Sequence, residues 1–336
     1  MNLQEINIIV SKIKSKVYSP IYFLMGEETF YIDHITNLLK DQILSEEEKS
    51  FNQTILYGKD TSITELVSLC KRYPINSKYQ TVFLKEAQDL SRQIEVLSEY
   101  ALNPMMSTVL IINYKYKRLD KRKKLFKNIQ KFGIILDCKK MYENKIPMWI
   151  TDVLKKDNYT IDYKSSFILT EYLGNDLNKI NNQLNKLKIL CSKEKIIDSK
   201  LIEKNIGISK EYNVFELRNA IGQKNFKKSI EISNYLTSNT SKHPVQLILS
   251  SIFNYFIQIF QLHCINNKSE SNISKVLGIN PYFVNEYLNA SKKYSMKNIS
   301  KIISLINECD LKSKGVGVPK ISNNDLLRQL ITQIIN

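Results

Sequence analysis

The feature that most limits the fold of this chain is a strand-to-helix alternation that runs for about 140 residues and then stops. Five short apolar runs read as strands: residues 21–25, 51–57, 81–84, 108–113 and 134–137. Each is too short for a core helix and is rich in Ile, Val, Leu, Phe or Tyr. Between them, apolar residues recur at helical spacing over 27–44, 63–70, 94–102 and 121–132, and an amphipathic helix over 3–17 precedes the first run. Strands alternating with helices predict a parallel α/β sheet buried on both faces. Beyond Asp137 only helical periodicity remains, with candidates at 162–173, 176–190, 198–206, 215–221, 226–236, 245–265, 273–277, 281–294, 299–311 and 324–335. One further helix opens at Pro147, near a helix start, where the missing N–H is harmless. The chain therefore reads as an α/β domain, a small helical domain and a larger helical domain.

An α/β domain followed by a small helical domain suggests a nucleotide-binding ATPase. A P-loop needs glycines that let consecutive N–H groups converge on phosphate oxygens. The chain has nine glycines, most of them isolated, and its only Gly-Lys, Gly58-Lys59, is followed by Asp60. The close pair Gly315 and Gly317 lies near the C-terminus. A triphosphate cradle and a G-x-G-x-x-G turn are both excluded. His34, His243 and His263 are far apart in sequence, with no H-x-x-x-H or H-E-x-x-H pair, and no Ser stands in G-x-S-x-G. The carboxylates Glu27-Glu28 and Glu46-Glu47-Glu48 read as solvated faces or helix caps. No catalytic residue, metal site or cofactor is expected, which favours a binding or mechanical role.

Net charge is +16, but 43 Lys stand against 6 Arg. Lys, Asn, Ile and Tyr all have AT-rich codons, so genome composition competes with nucleic-acid binding as the cause. Base reading and bidentate phosphate forks favour the scarce Arg. Five dispersed cysteines with no C-x-x-C pair fit reduced, buried thiols in a reducing compartment. No run of eighteen apolar residues suggests a membrane span, and the first 17 residues, broken by Glu5 and several Lys, do not read as a signal peptide. A cytoplasmic location is expected.

Several runs resemble one family. Tyr22-Phe23-Leu24-Met25-Gly26-Glu27-Glu28-Thr29-Phe30-Tyr31-Ile32-Asp33 is similar to the start of clamp-loader delta subunits, where such a run takes the place of a P-loop. Pro104-Met105-Met106-Ser107-Thr108-Val109-Leu110-Ile111-Ile112, the run from Lys117 to Lys127, Gly174-Asn175-Asp176-Leu177, Tyr212-Asn213-Val214-Phe215-Glu216-Leu217 and Asp310-Leu311-Lys312-Ser313-Lys314-Gly315 match later motifs in family order. The resemblance implies an AAA+-like parallel-sheet domain lacking a P-loop over 1–140, a helical lid domain over 141–210 and a helical collar domain over 211–336. It implies a non-catalytic subunit that binds and opens the beta sliding clamp. Its implied partners are the tau/gamma motor subunits and delta prime in a hetero-pentamer, with primed DNA within the complex and no membrane.

The family's clamp-binding element is a short apolar tip before the third strand. Here Tyr73, Pro74, Ile75 and Asn76 occupy that place. Ile75 fits the first of two apolar anchors. Asn76 departs from the usual Phe at the second, and Tyr73 is the candidate substitute. An ordinary helix-to-strand turn is the other reading of these residues. A basic helix over 117–131, with Lys117, Arg118, Lys121, Arg122 and Lys124, is a candidate contact for phosphate or for a neighbouring subunit. It also supports the alternative of a non-specific nucleic-acid-binding protein; a solvated helix surface is the plainer reading.

Overall fold

The computed structural model describes residues 3–191, 194–206, 212–238, 243–316 and 321–336. These form two compact units, Met1–Met141 and Tyr142–Asn336. The expected boundary at 210/211, and Gly207 and Gly317, lie outside the described residues.

The first unit runs α1 (Leu3–Lys14), β1 (Ile21–Gly26), α2 (Thr29–Gln42), α3 (Glu46–Asn52), β2 (Gln53–Tyr57), α4 (Ile63–Cys70), β3 (Gln80–Lys85), α5 (Ser98–Leu102), β4 (Thr108–Lys115), α6 (Lys124–Phe132) and β5 (Ile134–Cys138). Two short 3-10 turns, Ala87–Leu90 and Ile94–Leu97, precede α5. The five strands pair entirely in parallel in the order β2-β3-β4-β1-β5. Every residue of β1 is buried, as are all of β4 except Lys115. The pleat sends Ile21, Phe23 and Met25 to one face, where they join Leu66 of α4, Ala101 of α5 and Ile129 of α6. Helix α2 packs against β1, β4 and β5 through a buried stripe that includes Ile32, Ile35 and Leu39.

Two expectations need correction here. The strand expected over 51–57 begins only at Gln53, because Ser45 and Glu48 form a reciprocal capping box that starts α3 and carries Phe51 into it. The basic helix expected from Lys117 or Lys121 begins only at Lys124. The Asp120 carboxylate accepts the Arg122 backbone N–H at 2.9 Å and the Asp120 carbonyl accepts the Lys123 N–H at 3.1 Å, a turn that competes with the helix.

The second unit runs α7 (Ile146–Lys156), β6 (Thr160–Ile161), α8 (Tyr163–Leu173), α9 (Leu177–Leu190), β7 (Ile196–Ile197), α10 (Ser199–Ile206), α11 (Val214–Gly222), α12 (Phe226–Ser238), α13 (Val245–His263), α14 (Glu270–Leu277), α15 (Val284–Lys293), α16 (Met296–Ser313) and α17 (Asn323–Ile335). Asp162 and Asp176 cap α8 and α9 by accepting backbone N–H groups of Ser165 and Lys179. The predicted face Leu177, Ile180, Leu184 and Leu187 is fully buried. The two-residue pair β6–β7 was not expected after Asp137. Two residues per strand leave no periodicity to read.

Helix α13 forms the centre of the C-terminal core. It has the length and composition to cross a membrane. Its apolar face, including Ile248, Ile252, Phe256 and Ile259, is nevertheless buried within the unit, largely against α15 and α16. His263, inside this helix, meets the Tyr294 carbonyl at 2.8 Å, and the Tyr294 hydroxyl donates to the Ile221 carbonyl at 2.7 Å.

Candidate functional site

Ligands of open parallel sheets bind beyond the C-terminal ends of the strands, so that edge is the first place to look. Here the chain leaves β1 at Gly26, whose φ of +121° excludes most side chains and where a Cβ would run into the Cys138 carbonyl. The backbone is then tied down on both sides. Glu28 N–H donates to the Cys138 carbonyl at 2.9 Å, and Tyr116 N–H donates to the Gly26 carbonyl at 2.8 Å. The Glu28 N–H and the Gly26 carbonyl of the turn are thus committed to neighbouring strand ends.

The electrostatics of this edge oppose an anion. Lys115 reaches Asp33 at 2.9 Å and Glu86 at 3.6 Å; Arg118 reaches Asp137 at 3.0 Å and Glu27 at 3.5 Å. Four carboxylates thus meet two cations. Glu27 and Glu28 also stand at the start of α2, where the positive end of the helix dipole would otherwise attract phosphate. Burial lowers the Lys115 pKa, but the hydrogen bond and charge of Asp33, with Glu86 behind, more than reverse this and hold it above the usual lysine value. Nearby, burial pushes the Cys138 thiol up to about 12, so it stays protonated. Cys70 and Cys309 are buried as expected, but Cys264 is exposed and Cys191 half-buried. Among the described residues no group of three His, Cys, Asp or Glu is placed to hold a metal.

The other candidate is the loop between α4 and β3. Its base is a polar plug. The buried Gln80 amide donates to the carbonyls of Leu69 and Arg72 and to Thr108 Oγ1, while the Thr108 hydroxyl donates to the Cys70 carbonyl at 2.8 Å. This gives side-chain donors to the Cys70 carbonyl at the end of α4 and to the Arg72 carbonyl just beyond it; the Leu69 carbonyl also accepts the Arg72 N–H at 3.2 Å. Higher in the loop, the buried side chain of Asn52 grips Ile75 from both sides. Oδ1 accepts the Ile75 N–H at 2.7 Å and Nδ2 donates to the Ile75 carbonyl at 2.9 Å. The next residue, Asn76, turns with φ of +49°.

That angle accounts for Asn76 where Phe was the expected type: Asn enters the left-handed region at much lower cost than a bulky side chain. The result is a fixed loop with apolar side chains outward. Tyr73 is 79% exposed and Ile75 58%, with Pro74 half-buried between them. Tyr73 and Ile75 are therefore both presented to solvent, and Asn76 is exposed beside them. The sequence reading missed Asn52 and Gln80. The only trace of the first is that it ends the helix announced by the Ser45–Glu48 capping box.

The basic candidates are dispersed in role. Lys117 donates to the Gln88 carbonyl and to Ser91 Oγ. Arg118 is held by Asp137 and Glu27, and Arg122 by Asp120 at 2.9 Å. Lys121 and Lys124 are exposed. All but Lys124 lie on the loop before α6.

The second unit contains a cavity of about 130 Å³ lined by Tyr172, Tyr212, Phe215, His243, Leu247 and Ser251, among others. Close by, the buried Glu216 is paired with Lys164 at 2.6 Å, and the buried Arg218 with Glu171 at 3.4 Å.

Two family models match the chain. Residues 22–139 match the model of DNA polymerase III, delta subunit, and residues 211–327 match the model of the C-terminal domain of that same delta subunit. The DNA polymerase III subunit delta of Bacillus subtilis (strain 168) is 21% identical over 306 residues, 88% of either chain. The structure of the Bacillus subtilis DNA clamp loader delta protein (YqeN) has the same fold, with a TM-score of 0.57 and 20% identity, covering 98% of this chain and 99% of that one.

Proposed function

Because this chain belongs to the DNA polymerase III delta-subunit family, we propose that it is the clamp-loader subunit that binds the beta sliding clamp and opens it without turning over ATP. The observation that carries this reading is the loop at 73–76, an apolar tip held in one conformation by Asn52 and directed into solvent. A rigid loop loses little conformational freedom on docking, so more of the burial of Tyr73 and Ile75 appears as affinity. One such side chain in a partner pocket contributes about 2 kcal/mol as a hot spot.

A closed ring is held by its own interfaces. A partner opens it only by the difference between its affinities for the open and closed forms. The tip supplies anchorage, and a second surface of the first domain favours the opened shape. The work comes from neighbouring motor subunits, tau/gamma, arranged with delta prime and this chain in a hetero-pentamer around primed DNA in the cytoplasm. In this assignment residues 1–140 engage the clamp, 141–210 form the lid and 211–336 the collar that joins the ring. The self-paired, carboxylate-rich edge beside Gly26 supports a subunit that leaves ATP to its neighbours.

The test is capture of the purified chain by the sliding clamp of the same organism. The double variant Tyr73→Ala, Ile75→Asp is expected to lose binding; undiminished capture would show that the tip is elsewhere. ATP hydrolysis by the chain alone would remove the second half of the reading.

A second reading rests on one observation. Lys121, Lys123, Lys124, Lys127 and Lys131 are exposed and enter no ion pair among the described residues. They could engage phosphates without reading sequence. Salt-sensitive DNA binding by the chain, with no affinity for the clamp, would favour it.

A further inference from the structure

The tip as read from sequence has Asn76 where a second bulky anchor is usual, with Tyr73 as its candidate substitute, and the fold places a further aromatic beside it from a different part of the chain. We infer that Phe51, on α3, completes the docking surface of the 73–76 loop, and that the surface takes an acidic protein face with an apolar pocket, that of the sliding clamp. This rests on the function proposed above.

Helix α3 touches the loop through two residues one turn apart. Asn52 grips the Ile75 backbone, and the Glu48 carboxylate lies beside Ser77. At about 100° per residue, Glu48 and Asn52 lie within about 40° of each other and define the helix face that meets the loop. Phe51 lies about 60° from Glu48 and about 100° from Asn52, at the edge of that face. It precedes Asn52 directly, so its position relative to Ile75 is fixed by the same two hydrogen bonds. It is 74% exposed. A Phe left in water at a position held this rigidly gives nothing to the core. Phe51, Tyr73 and Ile75 thus stand outward on two segments fastened together.

The charge around the patch selects the partner. Residues 71–85 contain Lys71, Arg72, Lys78 and Lys85 and no Asp or Glu. Lys71, Arg72 and Lys78 are exposed and enter no ion pair among the described residues. On the α3 side Glu46 is paired with Lys49 at 2.6 Å and Glu48 accepts the Ser45 N–H, which leaves Glu47 exposed. The basic side of the patch is the loop, and it fits an acidic surface with an apolar recess, speeding encounter more than it tightens the final complex.

The experiment measures equilibrium and kinetic binding of the full chain to the sliding clamp at two salt concentrations. Phe51→Ala is expected to weaken binding about tenfold or more, chiefly through faster dissociation, and Phe51→Leu to stay within about threefold of wild type. Phe51→Ala and Ile75→Ala are expected to combine less than additively if both fill one pocket. Higher salt is expected to slow association. Since Phe51 is exposed, its variants should keep the wild-type circular dichroism and unfolding curve. Unchanged affinity of Phe51→Ala with an intact wild-type interaction overturns this inference and leaves the proposed function standing. Absence of any wild-type binding overturns both. Loss of self-association in Phe51→Ala, with clamp binding intact, would assign the patch to a second copy instead and also overturn it.

Discussion

Replacing Asn52 with Ala removes the grip on the tip while leaving every exposed side chain in place. The wild-type side chain makes two hydrogen bonds, at 2.7 and 2.9 Å, to the N–H and carbonyl of Ile75. An ordinary hydrogen bond contributes about 0.5–1.5 kcal/mol net, so the pair holds the loop by about 1–3 kcal/mol. Each 1.4 kcal/mol is a factor of about ten in an equilibrium. If the loop opens independently of the rest, Asn52→Ala should raise the exchange rate of the Ile75 amide by about ten- to a hundredfold, with protection in β1 and β4 unchanged. Hydrogen exchange resolved at Ile75 measures this directly. Clamp affinity should fall about tenfold, because the loop must then be ordered during docking. Asn52→Asp keeps the acceptor for the N–H but sets a carboxylate against the Ile75 carbonyl, and should be no better than Ala. Wild-type protection at Ile75 in Asn52→Ala would refute the reasoning, whatever the binding result.

Other outcomes follow from single contacts. Gly26→Ala combines an unfavourable φ with a collision at the Cys138 carbonyl, so the stability of the first unit, read from its urea midpoint, should drop by about 1–3 kcal/mol or more; a wild-type midpoint would contradict this. Tyr294→Phe loses a buried 2.7 Å hydrogen bond to the Ile221 carbonyl and should cost about 1–3 kcal/mol in equilibrium unfolding, since the carbonyl is left with less satisfaction. Burial, and then the charge of Glu216, raise the Glu286 pKa above its ordinary 4.5, against the opposing charges of Lys164 and Arg218. The stabilising contribution of its protonation is therefore complete below 4.5 and lost as pH rises through the elevated folded value. Glu286→Gln should gain stability over wild type at pH 7 and lose that advantage on acidification toward 4.5; urea midpoints across this range would show the opposite slope if the carboxylate were stabilising when charged.

The parts of the fold that repeat were readable from sequence. All five strands of the sheet were found: β1, β3 and β4 are short apolar runs buried on both faces, while the edge strands β2 and β5 are only partly buried, and β2 was expected two residues too early. The face of α9 was found because four leucine and isoleucine residues recur with helical period. What failed was set by individual side-chain hydrogen bonds. The Asp120 turn delays α6, and the Ser45 capping box shortens β2. The loop at 73–76 was singled out by family position, and its shape depends on Asn52 and Gln80, polar residues that look like any loop asparagine and glutamine until they are buried against backbone groups. Asn76 seemed to break the expected pattern; its positive φ supplies the reason. Phe51 lies more than twenty residues before the loop it flanks, a juxtaposition that no local pattern encodes.

The most direct test asks whether this chain opens a ring by contact alone. A sliding clamp labelled with a fluorescent pair across one of its ring interfaces, closed on circular DNA, would be mixed with the purified chain in the absence of any nucleotide. The account requires separation of the labels and faster release of the clamp, both lost in the Tyr73→Ala, Ile75→Asp variant. A clamp that stays shut with wild-type chain bound, or one that opens only when this chain is itself hydrolysing ATP, would contradict it.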